Sequence, residues 1–389
     1  MIYLDYNATT PLCEHAWDAM RPYLERDFGN PSSVHAAGRE GRAAIDDARD
    51  RLASLLRVRP NELIFTSGGT ESNNLAVLGL ARSHAQRGRH LICSRTEHHA
   101  VLHAFEHLQK REGFEVTWLA VDEGGLVDPK ELAKAIRSDT TLVSVMLANN
   151  ETGVMQPMAE IAAVCQRRGI LLHSDLVQAF GKLECDLDGL DAASFAAHKF
   201  YGPKGAGLLY LRAGIPIERI HFGGSHENER RPGTENVPAI AGMAAAAEFV
   251  SHDRAEEQTR EATLRDRLWE RIARTYPRAR QNGNVDHRLG NTLNVSFPGL
   301  SSETLLMALD LEGICASSGS ACMVGSVVAS HVLLAMGLSQ DIATSAIRFS
   351  LGKKTPAEEI ERAAAAIGQV VERVGHAEAN AATATYAVA

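Results

Sequence analysis

Residues 63–119 read LIFTSGGTESNNLAVLGLARSHAQRGRHLICSRTEHHAVLHAFEHLQKREGFEVTWL. Three short β-rich runs stand in it: Leu63–Phe65, His90–Cys93 and Val116–Leu119. Between them, Thr70–Ala85 and His98–Arg111 carry helical patterns. Alternation of this kind predicts parallel strands joined by crossover helices. It continues downstream. Runs at Leu142–Leu147, Ile170–His173, Ala193–Phe195 and Gly207–Leu211 follow, with helical stretches at Lys130–Arg137 and Met158–Arg168. The expected class is α/β, with a large domain built on a mostly parallel seven-stranded sheet flanked by helices. Ligands of such sheets bind at the carboxyl ends of the strands, so each polar cluster just after a strand is a candidate site.

Past Gly214 the pattern changes. His221 to Pro238 is rich in Gly and Pro and reads as a long loop. An Ala-rich helical stretch, Ala239–Arg274, leads to a second unit. That unit reads strand (Thr292–Phe297), helix (Glu303–Leu311), strand (Ile314–Ala316), helix (Ser330–Met336), strand (Ile347–Leu351) and helix (Ala357–Val374). It is expected to be a smaller α+β C-terminal domain. The Ala/Thr-rich tail, Ala377–Ala389, is expected to fray.

Composition bounds the function. The chain has 389 residues, 45% hydrophobic and 23% charged, an ordinary globular mixture that excludes collagen, coiled coil and disorder. Its net charge of −8 argues against a dedicated nucleic-acid binder. No apolar run approaches the ~18 residues of a membrane helix. The opening MIYLDYNATTP lacks the basic start of a secretion signal, so a cytoplasmic location is expected. The six cysteines show no CxxC pair and no zinc spacing, and read as free thiols, mostly core residues.

Six clusters carry chemistry. TSGGTESNN, Thr66–Asn74, follows a strand and opens a helix, where free N–H groups and the helix dipole favour a phosphate; a plain helix cap is the other reading. HSDLVQ, His173–Gln178, ends a strand on Asp175, either an N-cap or the carboxylate that holds a protonated pyridine nitrogen. AAHKFYGPKG, Ala196–Gly205, leaves another strand with Lys199, a Schiff-base candidate, and Lys204, which reads as a solvated loop lysine. A phosphate cradle, an acid and a lysine on neighbouring strand ends together point to pyridoxal 5′-phosphate. TEHHAV, Thr96–Val101, sets His98 at a further strand end; His99, His103 and His107 share a helical face, read as a metal set or as a solvated face. SSGSAC, Ser317–Cys322, places Cys322 among small residues, unlike a core cysteine. A free thiol is only about 3% thiolate at pH 7, so a working Cys322 needs a proton acceptor or a lowered pKa. IRFSLG, Ile347–Gly352, puts Arg348 in a strand, as a carboxylate clamp or in an internal salt bridge.

In this order, with YLDYNATTP, FGNPSSVH, NNETG and RRPGTENVP, these motifs resemble the class V aminotransferase superfamily, and within it the NifS/IscS-type cysteine desulfurases. The resemblance spans about residues 2–375. It implies that Lys199 bonds to the cofactor, Asp175 pairs with the pyridine nitrogen and Gln178 with the phenolic oxygen. Gly69, Thr70 and His198 would hold the phosphate, and Asn150 would line the site near cofactor or substrate. His98 would stack on the ring as acid and base. Thr234 would reach the phosphate of a neighbouring subunit, implying a homodimer. Arg348 would grip the carboxylate of L-cysteine, and Cys322 would take its sulfur as a persulfide for an acceptor protein in iron–sulfur assembly or thiolation. No metal, nucleic acid or membrane is implied. The domains implied are 12–250 and 251–389, with residues 1–11 packing on the smaller.

Departures from the family pattern are Ala196, where Ser is usual, Leu176, expected to crowd the cofactor seat, and an apolar run after Cys322, expected to pack down. The alternatives are a selenocysteine lyase or another class V aminotransferase, and a non-catalytic sulfur-relay subunit.

Overall fold

The computed structural model describes residues 1–319 and 329–386, the last ten as backbone only. Among the described residues, twelve strands lie, in chain order, at Ile2–Tyr3 (β1), Leu63–Thr66 (β2), His90–Ser94 (β3), Glu115–Leu119 (β4), Thr140–Ser144 (β5), Leu171–Asp175 (β6), Ala192–Ala196 (β7), Gly207–Leu211 (β8), Arg280–Asn282 (β9), Thr292–Ser296 (β10), Ile314–Cys315 (β11) and Ala346–Ser350 (β12). Seven of them form one sheet in the order β2-β8-β7-β6-β5-β3-β4. Its pairings are parallel except those that β8 makes with β2 and β7. The expected seven-stranded, mostly parallel sheet is therefore present.

Its strands are apolar on both faces because helices cover both. Leu63, Phe65, Ile92, Leu172 and Leu208 pack on one side, against the helices Ala36–Leu56 and Val237–His252. Their alternates Ile64, Leu91, Cys93, Leu171 and Leu209 pack on the other, against the helices Gly69–Ser83 and His99–Arg111. This two-sided burial is why the runs read as continuous apolar stretches. A separate core forms around β10 and β12, where Leu293, Val295, Ile347 and Phe349 meet the helices Arg254–Thr275, Ser302–Leu311 and Ala357–Tyr386. Ile2 and Leu4 belong to this second core, and β1 pairs with β11.

The structure departs from the sequence reading in several places. The stretch read as one helix, Ala239–Arg274, is two, Val237–His252 and Arg254–Thr275, separated at Asp253. The first is apolar and buried and the second amphipathic, so the two serve different cores. The tail does not fray at Ala377: the last helix continues to Tyr386, as an Ala-rich stretch favours. The long loop holds a 3₁₀ turn, His226–Glu229, in which Glu227, Asn228 and Glu229 all have positive φ. Arg49 fixes that turn by donating to both Glu227 carboxylate oxygens, at 3.0 and 2.6 Å.

Candidate active site

The carboxyl ends of β2, β3, β5, β6 and β7 face one cavity of about 350 Å³. Asn7, Ala8, Gly69, Thr70, Asn73, His98, Met146, Asn150, Asp175, Val177, Gln178, Ala196, His198, Lys199, Gly319 and Arg348 line it. Every expected site residue is among them except Thr234, which is exposed, and Cys322, which lies outside the described residues. Of the run after Cys322 expected to pack down, residues 323–328 fall outside them as well, and the last two, Ala329 and Ser330, are buried. Gly319 brings the chain to the cavity wall three positions before that cysteine.

Below β2 the chain turns through Gly68, at φ 156° and ψ −180°, a conformation open in practice only to glycine. Gly68 gives the helix Gly69–Ser83 no side-chain cap, so the first-turn N–H groups have no such partner at the cavity. A Cβ on Gly69 would lie 2.8 Å from Val177 Cγ2, so only glycine lets the helix start approach this closely. The first-turn acid is turned outward: Glu71 accepts from Ser67 N–H at 2.7 Å and from Arg231 Nε at 2.7 Å. The helix end is left as an anion cradle.

Asp175 ends β6 with its carboxylate held on both oxygens. Val177 N–H donates to Oδ1 at 2.8 Å, and Asn73 Nδ2 donates to Oδ2 at 2.6 Å. Asn73 Oδ1 is buried with no hydrogen-bond partner among the described residues. Leu176 does not crowd the cavity. It is wholly buried in the core, because the chain turns after Asp175 and Val177 takes the cavity side instead. Ala196 lines the cavity without a hydroxyl.

Lys199 follows β7 in a 3₁₀ turn. Its Nζ donates to the carbonyls of Asn7 at 2.7 Å and Ala8 at 2.8 Å. His198 shares a 3.2 Å hydrogen bond between Nδ1 and Thr9 Oγ1. Burial, then the charges of Lys199 and Lys204, push His198 down to about 4. It is neutral at physiological pH and meets an anion as a hydrogen-bonding group. His98 caps the helix His99–Arg111, its Nδ1 accepting from Ala100 N–H at 3.1 Å. Nε2 therefore carries the proton of the neutral ring. Burial is the main cause that holds its pKa below the ordinary value. Beside it, burial and then Asp175 push the Glu97 carboxyl up to about 8.

Arg348 combines both readings given to it. Its NH2 pairs with Asp5 Oδ1 at 2.8 Å, the internal salt bridge, while its side chain also lines the cavity. NH1 donates to the Asn150 carbonyl at 3.0 Å, and Nε is buried without a partner among the described residues. The metal reading of His99, His103 and His107 finds no support: His107 pairs with Glu112 at 3.2 Å, and among the described residues no three ligand-type side chains converge on a metal site.

Asn7 and Asn73 are the cavity-lining polar residues that sequence reasoning missed. Asn73 sits four positions after Gly69, one helical turn on, and that spacing was the available signal.

Comparison with known proteins agrees with this geometry. Residues 2–363 match the family described as aminotransferase class-V. The chain belongs to that family. It is 44% identical over 375 residues to the cysteine desulfurase IscS of Dictyoglomus turgidum, covering 96% of this chain and 95% of that one. A solved NifS-like protein superposes with a TM-score of 0.90 at 36% identity, covering 95% of this chain and 99% of that one. SspA in complex with cysteine superposes at 0.80 with 35% identity, covering 90% and 99%. Among the described residues no helix is long and apolar enough to cross a membrane.

Proposed function

We propose that this chain is a pyridoxal phosphate-dependent cysteine desulfurase that converts L-cysteine to L-alanine and passes the sulfur to an acceptor protein. The observation that carries the reading is the convergence of Lys199, Asp175 and the uncapped helix start at Gly69 on one cavity, in a family member this close to IscS. The site fits the cofactor. The Gly69–Thr70 cradle and neutral His198 suit its phosphate, the Asp175 carboxylate its pyridine nitrogen, and the Lys199 amine its aldehyde.

When bound, pyridoxal phosphate supplies an electron sink for the pair released at the substrate α-carbon. The protein supplies the rest. Arg348, whose side chain lines the cavity, orients the substrate carboxylate. His98 and Lys199 move protons at the cavity, His98 through Nε2. Cys322 attacks the substrate sulfur: an S–S bond forms, the C–S bond breaks, and its electron pair stays with the carbon skeleton that leaves as alanine. Four of the other five cysteines are poor candidates. Cys13, Cys93 and Cys165 are buried, and burial pushes Cys165 and the partly exposed Cys185 up to about 12.

The large domain of this reading is 12–250 and the small one 251–389, with residues 1–11 on the small one; Ile2 and Leu4 in the second core support it. A homodimer completes the site with Thr234. Iron–sulfur assembly or thiolation consumes the persulfide sulfur.

The test uses the purified protein. The expected result is a visible cofactor band that Lys199→Ala abolishes, and sulfide release from L-cysteine that Cys322→Ser abolishes while the band persists. Full sulfide release by Cys322→Ser removes the assigned nucleophile.

A further inference from the structure

Gln178 faces the cavity with an amide whose two ends have nearly the same shape, so its neighbours decide which end points in. Lys182, four positions on, supplies the decision. Its Nζ donates to Gln178 Oε1 at 3.0 Å and to the Gln178 backbone carbonyl at 3.0 Å. That leaves Nε2 on the cavity side, donating to the Asn7 carbonyl at 2.9 Å. The same carbonyl accepts from Lys199 Nζ at 2.7 Å. A polar chain thus runs from Lys182 through Gln178 and Asn7 to Lys199. Reversing the amide would set its NH₂ against the Lys182 amine and its carbonyl against that of Asn7, losing both bonds.

We propose that Lys182, which does not line the cavity, is a positioning residue that locks the Gln178 amide with its donor toward the phenolic oxygen of the cofactor. The inference rests on the pyridoxal phosphate reading above. Lys182 holds this role as an ammonium, which only donates; a neutral amine also carries a lone pair that accepts from a reversed amide, leaving the Asn7 carbonyl alone to select the orientation. The charged and titratable groups that act on it most are Glu261, from the helix Arg254–Thr275, with Lys199, Arg348 and Cys185, and Tyr6, Tyr201, Arg254, Glu257 and Lys353 line the same small cavity as Lys182. Burial pushes Lys182 down and Glu261 up, so a proton shared by the pair remains available. The small cavity that Lys182 and Glu261 line also touches Lys199, which places the pair directly behind the cofactor lysine.

A donor aimed at an anionic oxygen favours its deprotonated form, and so does a nearby positive charge. The pH midpoint of the visible band of the bound cofactor reads both. In the holoenzyme, Lys182→Met is expected to raise that midpoint by about one unit. Lys182→Arg, which keeps donors and charge, is expected to leave it near the native value. Gln178→Glu removes the cavity-side donor directly and is expected to raise it as well. A folded Lys182→Met protein with an unchanged midpoint, beside a shifted Gln178→Glu, overturns the proposal. So does a Lys182→Met shift without one in Gln178→Glu, because Lys182 would then act by another route. If Lys182→Met does not fold, Lys182→Gln replaces it: an uncharged amide fixes no orientation, so an upward shift supports the proposal and none overturns it. A native protein with no visible band overturns the cofactor reading and the inference with it.

Discussion

Asp175 owes its place at the cavity to a neighbour on another element, since Asn73 Nδ2 reaches its Oδ2 at 2.6 Å from the helix Gly69–Ser83. A hydrogen bond to a charged group contributes about 1.5–3 kcal/mol. Asn73→Ala is therefore expected to weaken pyridoxal phosphate binding by about tenfold or more while the fold persists, as read by titrating the apo-protein with cofactor. Unchanged affinity would mean that Val177 N–H alone is enough to hold the carboxylate. Sequence could name Asp175 and Lys199 because an acid and a lysine at strand ends are rare enough to stand out. It did not name Asn73, since an asparagine one turn into a helix reads equally as a solvated polar residue, and only the approach of that helix to β6 gives it a partner. Leu176 was misjudged against its neighbour Val177 for a related reason. Both are apolar and adjacent, and the turn after Asp175 decides which of them faces the cofactor seat.

At the level of elements, the central strands carry a polar tie that the alternation of strand and helix gave no hint of. His173 on β6 shares hydrogen bonds with Ser144 on β5 at 2.8 Å and Ser194 on β7 at 3.0 Å. Burial pushes the ring down to about 3. In the unfolded chain the same ring titrates near ~6.5. Between those values the unfolded state binds the extra proton, so stability falls as pH drops from about 6.5 toward 3. The loss is about 1.4 kcal/mol per pH unit for this group once pH is well below 6.5. His198, held to about 4, adds to it in the same direction over a narrower window. Glu97 and Glu261, pushed up to about 8, take up protons in the folded state and shift stability the opposite way over the same range, so the readout is a difference: between pH 7 and 5, denaturant unfolding of His173→Gln is expected to lose less stability, or gain more, than the parent, each relative to its own value at pH 7. An equal slope in the variant would assign acid sensitivity elsewhere. The strands of the large sheet were legible because each is buried on two faces. The strands β1 and β9 were not, being only two and three residues long, and β1 pairs with β11, far away in sequence.

For the whole molecule, one face stands out by what it leaves in solvent. Phe28 is 82%, Val34 90% and Phe222 80% exposed. Ser32 Oγ and His226 Nε2 lie 3.2 Å apart, and Arg42 pairs with Glu235 at 2.7 Å, so the segments 28–35 and 221–238 form one surface. Thr234 is exposed in that same segment. Arg231, three residues before it, grips Glu71 at the start of the cofactor helix. Apolar side chains gathered on one surface mark an interaction site. A second copy is the occupant proposed above, since the family resemblance implies that Thr234 reaches the phosphate of a neighbouring subunit. Sedimentation is therefore expected to give a dimer. The double variant Phe28→Glu, Val34→Glu is expected to shift it toward monomer and to weaken pyridoxal phosphate binding together, since each site loses its contribution from the other chain. Leu311→Glu, at a position 85% exposed on the end of the helix Ser302–Leu311, is expected to change neither. A double variant that dissociates yet binds cofactor with native affinity would separate the interface from the site, and Thr234 would then have no part in holding the phosphate.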